Sequence, residues 1–334
     1  MFDNYKPSND VAEDTTVLLD ISNLFRIQFS ANTETTIKGV PISGVSGVIN
    51  SLPKYANKFN ANRLICCFDG KKSRKRRKQI VEEYKANRDK ASDIKSPFDM
   101  DKESLLELDK LQMRVLYELM GLLPVKRLYF NELEADDIIG YITKTYFSER
   151  KGRRIIVSED KDFYQLIDNH TDVYHPRKRK LITINNFRKV WDTYPENVIY
   201  YRIIEGDSSD NIIGVKGWGR KTLEKFFPEL ITEQIESLEA FLERIKSKYD
   251  LLEQTKTGSK MINQFEVLEP NHKLMDLTAT MLNANEKIAL QKVIERDTKD
   301  MSDIFHFKRR LADLELTDVI RTKSILGLFT SLKY

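Results

Sequence analysis

Histidine and cysteine are almost missing from this chain, at four and two among 334 residues. With so few imidazoles and thiols, a bound metal would have oxygen ligands, which suits Mg²⁺ or Mn²⁺. No serine, cysteine or histidine stands in a setting that suits a nucleophile. The two cysteines, Cys66 and Cys67, are adjacent in an apolar run. On a strand their side chains point to opposite sides, so each reads as a reduced thiol in or just under the core, consistent with a cytoplasmic protein. Long apolar runs are missing too. None approaches the roughly 20 residues needed to cross a bilayer, and the opening MFDNYKPSND is polar rather than signal-like. Internal repeats and long low-complexity segments are also absent.

Charge of both signs is abundant. Fifty-five basic residues against 51 acidic ones leave a net charge of only +4, but the distribution is uneven. Lys71, Lys72, Arg74, Lys75, Arg76, Arg77 and Lys78 form one dense run, and Arg177, Lys178, Arg179 and Lys180 another. One such run alone is equally a solvated face or a localisation signal. Basic blocks combined with an acidic cluster point to a polyanion partner bridged by metal.

The acidic cluster is a series of nine residues placed at the ends of apolar runs or in tight groups. Asp20 ends VLLD, Asp69 ends ICCFD, and Glu134, Asp136 and Asp137 lie in LEADDII. Asp160 and Asp162 follow in IIVSEDKD, and Asp207 and Asp210 in EGDSSDN. Carboxylates repeatedly placed where strands end point to one shared crevice. Two like charges about 4 Å apart repel by roughly 4 kcal/mol at an effective dielectric near 20, a cost that divalent cations would remove.

Organisation along the chain supports that reading. With 40% hydrophobic residues, the chain can form one large α/β domain or two smaller ones. Thr16–Asp20, Arg63–Asp69, Pro124–Tyr129 and Arg153–Ser158 read as strands. Ser43–Phe59, Ser104–Met120, Glu134–Phe147 and a segment near Lys161–Ile167 read as helices, with Gly121 as a C-cap candidate. The alternation predicts a largely parallel sheet covered on both faces. Residues 1–15 read as a loose arm, and from about Asn186 onward the chain reads mainly as helix.

Several local patterns carry chemistry. Glu134 and Asp137, and likewise Asp207 and Asp210, are three apart and share a helix face. LEADD alone is equally a charged helix start, and Asp160 with Asp162 equally an ordinary turn or cap. In GVKGWGRKT, Gly214, Gly217 and Gly219 permit tight turns and close backbone approach. Amides before the following helix could hold a phosphate oxygen, with charge from Lys216, Arg220 and Lys221, and Thr222 completes the candidate DNA-binding set. The pattern is that of a helix–hairpin–helix, or else of a plain glycine turn. Lys85 and Arg88, in EYKANRD, could hold a scissile phosphate or could pair with Glu82 and Glu83 on a surface helix.

Taken in order, LLDISN, CFDG, EYKANR, LEADD, SEDKDFYQL and EGDSSDNIIGVKGWGRKT resemble the 5′-nuclease superfamily of flap endonucleases, polymerase-linked 5′-nucleases and phage 5′–3′ exonucleases. The resemblance runs from about Val17 to Phe227, and a chain of this size with a helical tail is most like the phage ribonuclease H branch. It implies an α/β fold: a mixed, mostly parallel, PIN-like sheet flanked by helices, a SAM-like helix–hairpin–helix region and a helical C-terminal part. It implies a catalytic domain over 16–185, with a helical arch at about 71–119 beneath which 5′ ends thread, and a DNA-binding domain over 186–334. By carry-over, Asp20, Asp69, Glu134, Asp136 and Asp160 resemble the core metal ligands, and Asp162, Asp207 and Asp210 those of a second ion or its water shell. Asp137 is the member that also serves the helix start. Lys85 matches the arch lysine and Arg77 the arch arginine, with Arg76 as the alternative because the run is one residue longer.

The activity implied is two-metal hydrolysis of phosphodiesters using Mg²⁺, with Mn²⁺ able to substitute, and K⁺ held in the hairpin. Implied partners are branched or nicked duplex DNA, 5′ flaps and RNA–DNA hybrids, together with a sliding clamp and a single-stranded-DNA-binding protein. The protein would be a cytoplasmic monomer without membrane contact, in the host cytoplasm if phage-encoded, and would remove RNA primers and flaps in replication. SILGLF at Ser324–Phe329 resembles clamp-binding tails, or is an ordinary amphipathic terminal helix. The chain departs from relatives in lacking a polymerase domain and in carrying the extra N-terminal residues. A non-catalytic junction-binding protein is the alternative, which the intact acidic set opposes. A PIN-type toxin ribonuclease is a third reading, opposed by GVKGWGRKT.

Overall fold

A computed structural model of the protein describes residues 14–31, 33–36, 38–86, 96–148, 152–279, 281–298 and 302–332. Most of the N-terminal arm expected over 1–15 lies outside these residues. Six strands form one sheet in the order β3-β2-β1-β4-β5-β6. β1 (Thr15–Asp20), β2 (Arg63–Phe68), β3 (Lys126–Tyr129), β4 (Arg153–Val157) and β5 (Thr171–His175) run parallel, and β6 (Lys180–Ile182) is antiparallel to β5. The central strands are apolar on both faces because helices cover both, as parallel sheets require. All six residues of β1 are buried. Leu18 and Cys67 pack into the core on one face, and Val17, Leu19 and Cys66 into the core on the other.

On one face lie α1 (Ile21–Ala31) and α2 (Ser43–Phe59), which pack closely because a side chain at Gly44 would collide with the Phe25 ring. The basic run turns through α3 (Lys75–Lys78), and α4 (Lys102–Met120) then joins α1 and α2. Gly121 does cap α4, but in right-handed conformation at φ −69°. On the opposite face α5 (Ala135–Tyr141) continues as a π-helical turn to Tyr146. Beyond the sheet come α6 (Ile184–Trp191), α7 (Val198–Glu205), a small hairpin of β7 (Gly206–Asp207) and β8 (Ile212–Ile213), and α8 (Arg220–Phe226).

Two features differ from the sequence reading. The basic block at Arg177–Lys180 makes the turn of the β5–β6 hairpin, with Arg179 at φ +51° and Lys180 opening β6. The division at residue 186 does not separate two cores. Residues of α7, α8 and later helices share one core cluster with Leu18 and Ile156, while Phe307, Leu311, Ile325 and Leu328 enter the other beside α2. Asn50 of α2 fixes this return, donating to the Val319 carbonyl (2.9 Å) and accepting from the Arg321 amide (2.8 Å). Ser324–Phe329 is therefore folded, with Ile325 and Leu328 fully buried. Its apolar residues Ile325 and Leu328 pack into the core beside α2, as in an amphipathic terminal helix.

Burial pushes the Cys66 thiol up to about 12 and the Cys67 thiol well above its ordinary range. Both should therefore resist a thiol-specific disulfide reagent at mildly alkaline pH in the folded protein and react fully after denaturation. Fast modification of either thiol in native protein would contradict their placement in the central strand.

Candidate metal and phosphate site

Four neighbouring parallel strands, β3, β2, β1 and β4, end on the same edge of the sheet. Asp20 is the last residue of β1, Asp69 follows β2, Glu134 opens the helix after β3, and Asp160 lies just beyond β4. The chain runs outward from β1 to β2 and β3, then returns to β4 on the other side of β1. The reversal makes the β1/β4 boundary the switch point, where open α/β sheets leave a crevice.

The nine carboxylates divide by their partners. Asp20, Asp69 and Asp160 form no ion pair among the described residues. Asp20 is buried at 8% exposure, whereas Asp69 and Asp160 are exposed. The Asn23 amide (3.0 Å) and the Ser158 hydroxyl (3.1 Å) each donate to one Asp20 oxygen. Ser158 in turn accepts from the Asp160 amide at 3.1 Å, so one hydroxyl ties the ends of β1 and β4 together. Asp69 accepts from the Ala135 amide at 2.8 Å, at the start of α5. Burial, and then the charges of Asp69 and Asp160, push the Asp20 carboxyl up to about 7.

The other six carboxylates are held by three basic side chains. Arg77 is 2% exposed and donates to Asp137 (2.8 Å), Glu134 (3.1 Å), Asp136 (3.4 Å) and the Leu274 carbonyl (3.1 Å). Burial works against its charge, but those carboxylates keep it protonated. Lys85 donates to both Glu134 oxygens at 2.8 Å and lies 3.6 Å from Asp210. Its backbone sits at φ +54°, rare for lysine, and its amide donates to the Asp210 carbonyl at 2.7 Å. Tyr84 adds a hydroxyl to Glu134 at 2.8 Å. Burial alone would raise the Glu134 carboxyl, but Lys85 and Arg77 outweigh it and hold it down at about 2. Arg202 pairs with Asp162 and, at 2.7 Å, with Asp207.

The first three residues are the donors that could hold a divalent cation. Their chemistry fits: they offer oxygen only, from neighbouring strand ends, close enough that Asp69 and Asp160 push the Asp20 carboxyl up, and without a basic partner among the described residues. No group of three acidic, histidine or cysteine side chains among the described residues forms a ready coordination shell. Mg²⁺ usually keeps several waters and binds proteins through one or two carboxylates plus phosphate.

A cleft of about 690 Å³ opens at Asp69, lined also by Glu134, Lys85 and the run from Lys71 to Lys75 with Lys78. Arg77 does not face it, and Arg76 is turned away onto Glu286 (2.6 and 2.8 Å) and the Met281 carbonyl (2.7 Å). Neither arginine thus stands where a substrate-contacting arch arginine would, because the buried carboxylates of LEADD recruit the first and a later helix the second. Arg88 lies outside the described residues. A second groove of about 1300 Å³ shares Asp69 and is lined by Arg26, Lys71, Lys110, Arg114, Tyr117 and Tyr129 among others.

In GVKGWGRKT the hairpin is tightly made. Gly217 has φ +84°, and a side chain at Gly214 would strike the Glu205 backbone. Trp218 is buried and donates to the Thr257 carbonyl at 2.7 Å. The Lys216 amide donates to Gln264 (2.8 Å) and the Arg220 amide to Glu205 (3.0 Å), so two of the expected phosphate-facing amides have protein partners here. Thr222 bonds back to Gly219 at the helix start, and Lys216, Gly219 and Lys221 remain exposed. Sequence reasoning missed Arg202, Tyr84, Ser158 and the two groove tyrosines. Arg202 and Tyr84 sit inside quoted motifs or beside them, but nothing in their spacing says which carboxylate they reach.

Residues 15–194 match the family described as 5′-3′ exonuclease, N-terminal resolvase-like domain. A 5′-3′ exonuclease of Buchnera aphidicola subsp. Schizaphis graminum is 31% identical over 209 residues, 61% of this chain and 67% of that protein. DNA polymerase I of Caldicellulosiruptor bescii is 29% identical over 72% of this chain, which spans only 27% of the polymerase. A solved structure of the bacteriophage T5 flap endonuclease, described as a pseudo-enzyme-product complex with DNA and metal ions, aligns over 94% of this chain and 98% of its own, with a TM-score of 0.63. At 20% identity that likeness is one of fold.

Removing Arg77 would leave Asp136 and Asp137 without a basic partner among the described residues and Glu134 with Lys85 alone. Arg77→Met should cost about 3–5 kcal/mol of stability by urea unfolding. A loss below about 1 kcal/mol, the level of an exposed pair, would contradict this role.

Proposed function

The chain belongs to the 5′–3′ exonuclease family, and from that premise we propose that it is a structure-selective, divalent-metal-dependent nuclease for 5′ ends and flaps. Its substrates are branched or nicked duplex DNA and RNA–DNA hybrids, and its task is removal of RNA primers and flaps in replication. The reaction is hydrolysis: water adds oxygen to phosphorus, the bond to the leaving 3′ oxygen breaks, and that oxygen takes up a proton. Products carry a 5′ phosphate and a 3′ hydroxyl.

The observation that carries this reading is the trio Asp20, Asp69 and Asp160, without an ion pair among the described residues, with Asp69 lining a lysine-rich cleft. Carboxylates facing a phosphate repel it unless cations intervene. Bound Mg²⁺ or Mn²⁺ would lower the pKa of water and neutralise charge developing on the phosphate. Asp20, Asp69 and Asp160 would hold the first ion, with Glu134 and Asp136 contributing to its surroundings. Asp162, Asp207 and Asp210 would serve a second.

The chain's other residues bind and orient. Asn23 and Ser158 fix both oxygens of Asp20. Lys85 sits at the cleft wall on Glu134 and would swing its ammonium to the scissile phosphate. The groove with Tyr117 and Tyr129 suits unpaired bases, since aromatic faces accept any base and Lys110 and Arg114 supply charge. Exposed Lys216 and Lys221 would grip duplex backbone without reading sequence, with K⁺ held by carbonyls near Gly214–Gly219. The T5 flap endonuclease, described with DNA and metal ions, supports the same reading.

On a 5′-flap substrate, Asp20→Asn should lower turnover by orders of magnitude with little loss of DNA affinity. Lys85→Ala should slow single-turnover cleavage more than it weakens binding. Near-normal cleavage by Asp20→Asn would sink the metal assignment, and a pure binding defect would remove Lys85 from the reacting phosphate.

A further inference from the structure

Arg202 lies on α7 and reaches two of the three carboxylates given to the second ion, Asp162 and Asp207. Its Nε donates to Asp162, and its Nη2 to Asp207 at 2.7 Å. The three side chains are 13%, 19% and 23% exposed, so salt screens the arrangement only in part. The remaining Asp207 oxygen accepts from the Ser209 amide (2.8 Å) and hydroxyl (2.7 Å). Arg202 cannot relax far, because its neighbours Tyr201, Ile203 and Ile204 are fully buried. Nor can it lose its charge, since a guanidinium stays protonated and its fork spans two carboxylates. Asp20, Asp69 and Asp160 have no such occupant among the described residues.

Resting on the two-ion reading above, we propose that Arg202 is a positioning residue that makes the two cation sites unequal. In the free protein its guanidinium supplies positive charge between Asp162 and Asp207. A divalent ion therefore binds tightly at Asp20, Asp69 and Asp160, and weakly between Asp162 and Asp207, where it must compete with a fixed cation. The carboxylates that a second ion needs are kept in place by the residue that keeps it out.

Calorimetric titration of the whole chain with Mn²⁺, without nucleic acid, tests this. Wild type should show one tight class of site and a second that is weak or below detection. Arg202→Gln should tighten the second class by about tenfold or more while leaving the first unchanged. Adding Asp162→Asn to Arg202→Gln should abolish that gain. Arg202→Lys keeps the charge but not the two-pronged geometry, so it should give a smaller gain, and it decides the matter if Arg202→Gln does not fold. An unchanged or weaker second class in a cooperatively melting variant overturns the role of Arg202. Absence of any tight Mn²⁺ site in wild type, or a tight site untouched by Asp20→Asn, overturns instead the metal reading on which it rests.

Discussion

Everything at the sheet edge follows from packing nine carboxylates where four parallel strands end. At separations of about 4 Å and an effective dielectric near 20, each close like-charged pair costs roughly 4 kcal/mol, comparable to a large part of a domain's net stability. The fold can carry such a cluster only with compensating charge. Arg77, Lys85 and Arg202 supply it for six members, and among the described residues three have none. The unpaired three sit on adjacent strands β2, β1 and β4, around the switch point of the sheet.

The same contacts tie distant parts of the chain together. Segment 77–86 leaves the basic run and is fastened to α5 by Arg77, Tyr84 and Lys85. It is fastened to the loop after α7 by the Lys85 amide on the Asp210 carbonyl and by Asn211 on the Glu83 carbonyl at 2.8 Å. Charge at the acidic edge thereby sets where the basic segment starts and where the α7–α8 hairpin region docks. A change of protonation or of bound cation at the edge would be felt by both the basic segment and the α7–α8 hairpin region.

Much of this was legible in the sequence because parallel strands ending in aspartate leave a plain pattern: a short apolar run, then a carboxylate. Ser43–Phe59 is a helix over the expected span, and the adjacent cysteines face opposite cores as strand geometry requires. The β5–β6 hairpin was not read, because Thr171–His175 is short and the basic block that follows looks like a surface patch rather than a turn. Partner choice was not legible either. The arginine in the basic run could have faced substrate or core, and only the position of LEADD on the folded sheet decides that Arg77 is buried. The tail at Ser324–Phe329 reads alike whether it docks outward or inward, since amphipathic pattern says which residues are covered but not by what.

On the proposed reading a divalent cation binds first at Asp20, Asp69 and Asp160, and not at the pair held by Arg202. The most direct test is anomalous diffraction from crystals of the free protein equilibrated with limiting Mn²⁺. The strongest peak should lie among Asp20, Asp69 and Asp160, with Arg202 still on Asp162 and Asp207. A strongest peak between Asp162 and Asp207, or no peak at this edge of the sheet, would contradict the account.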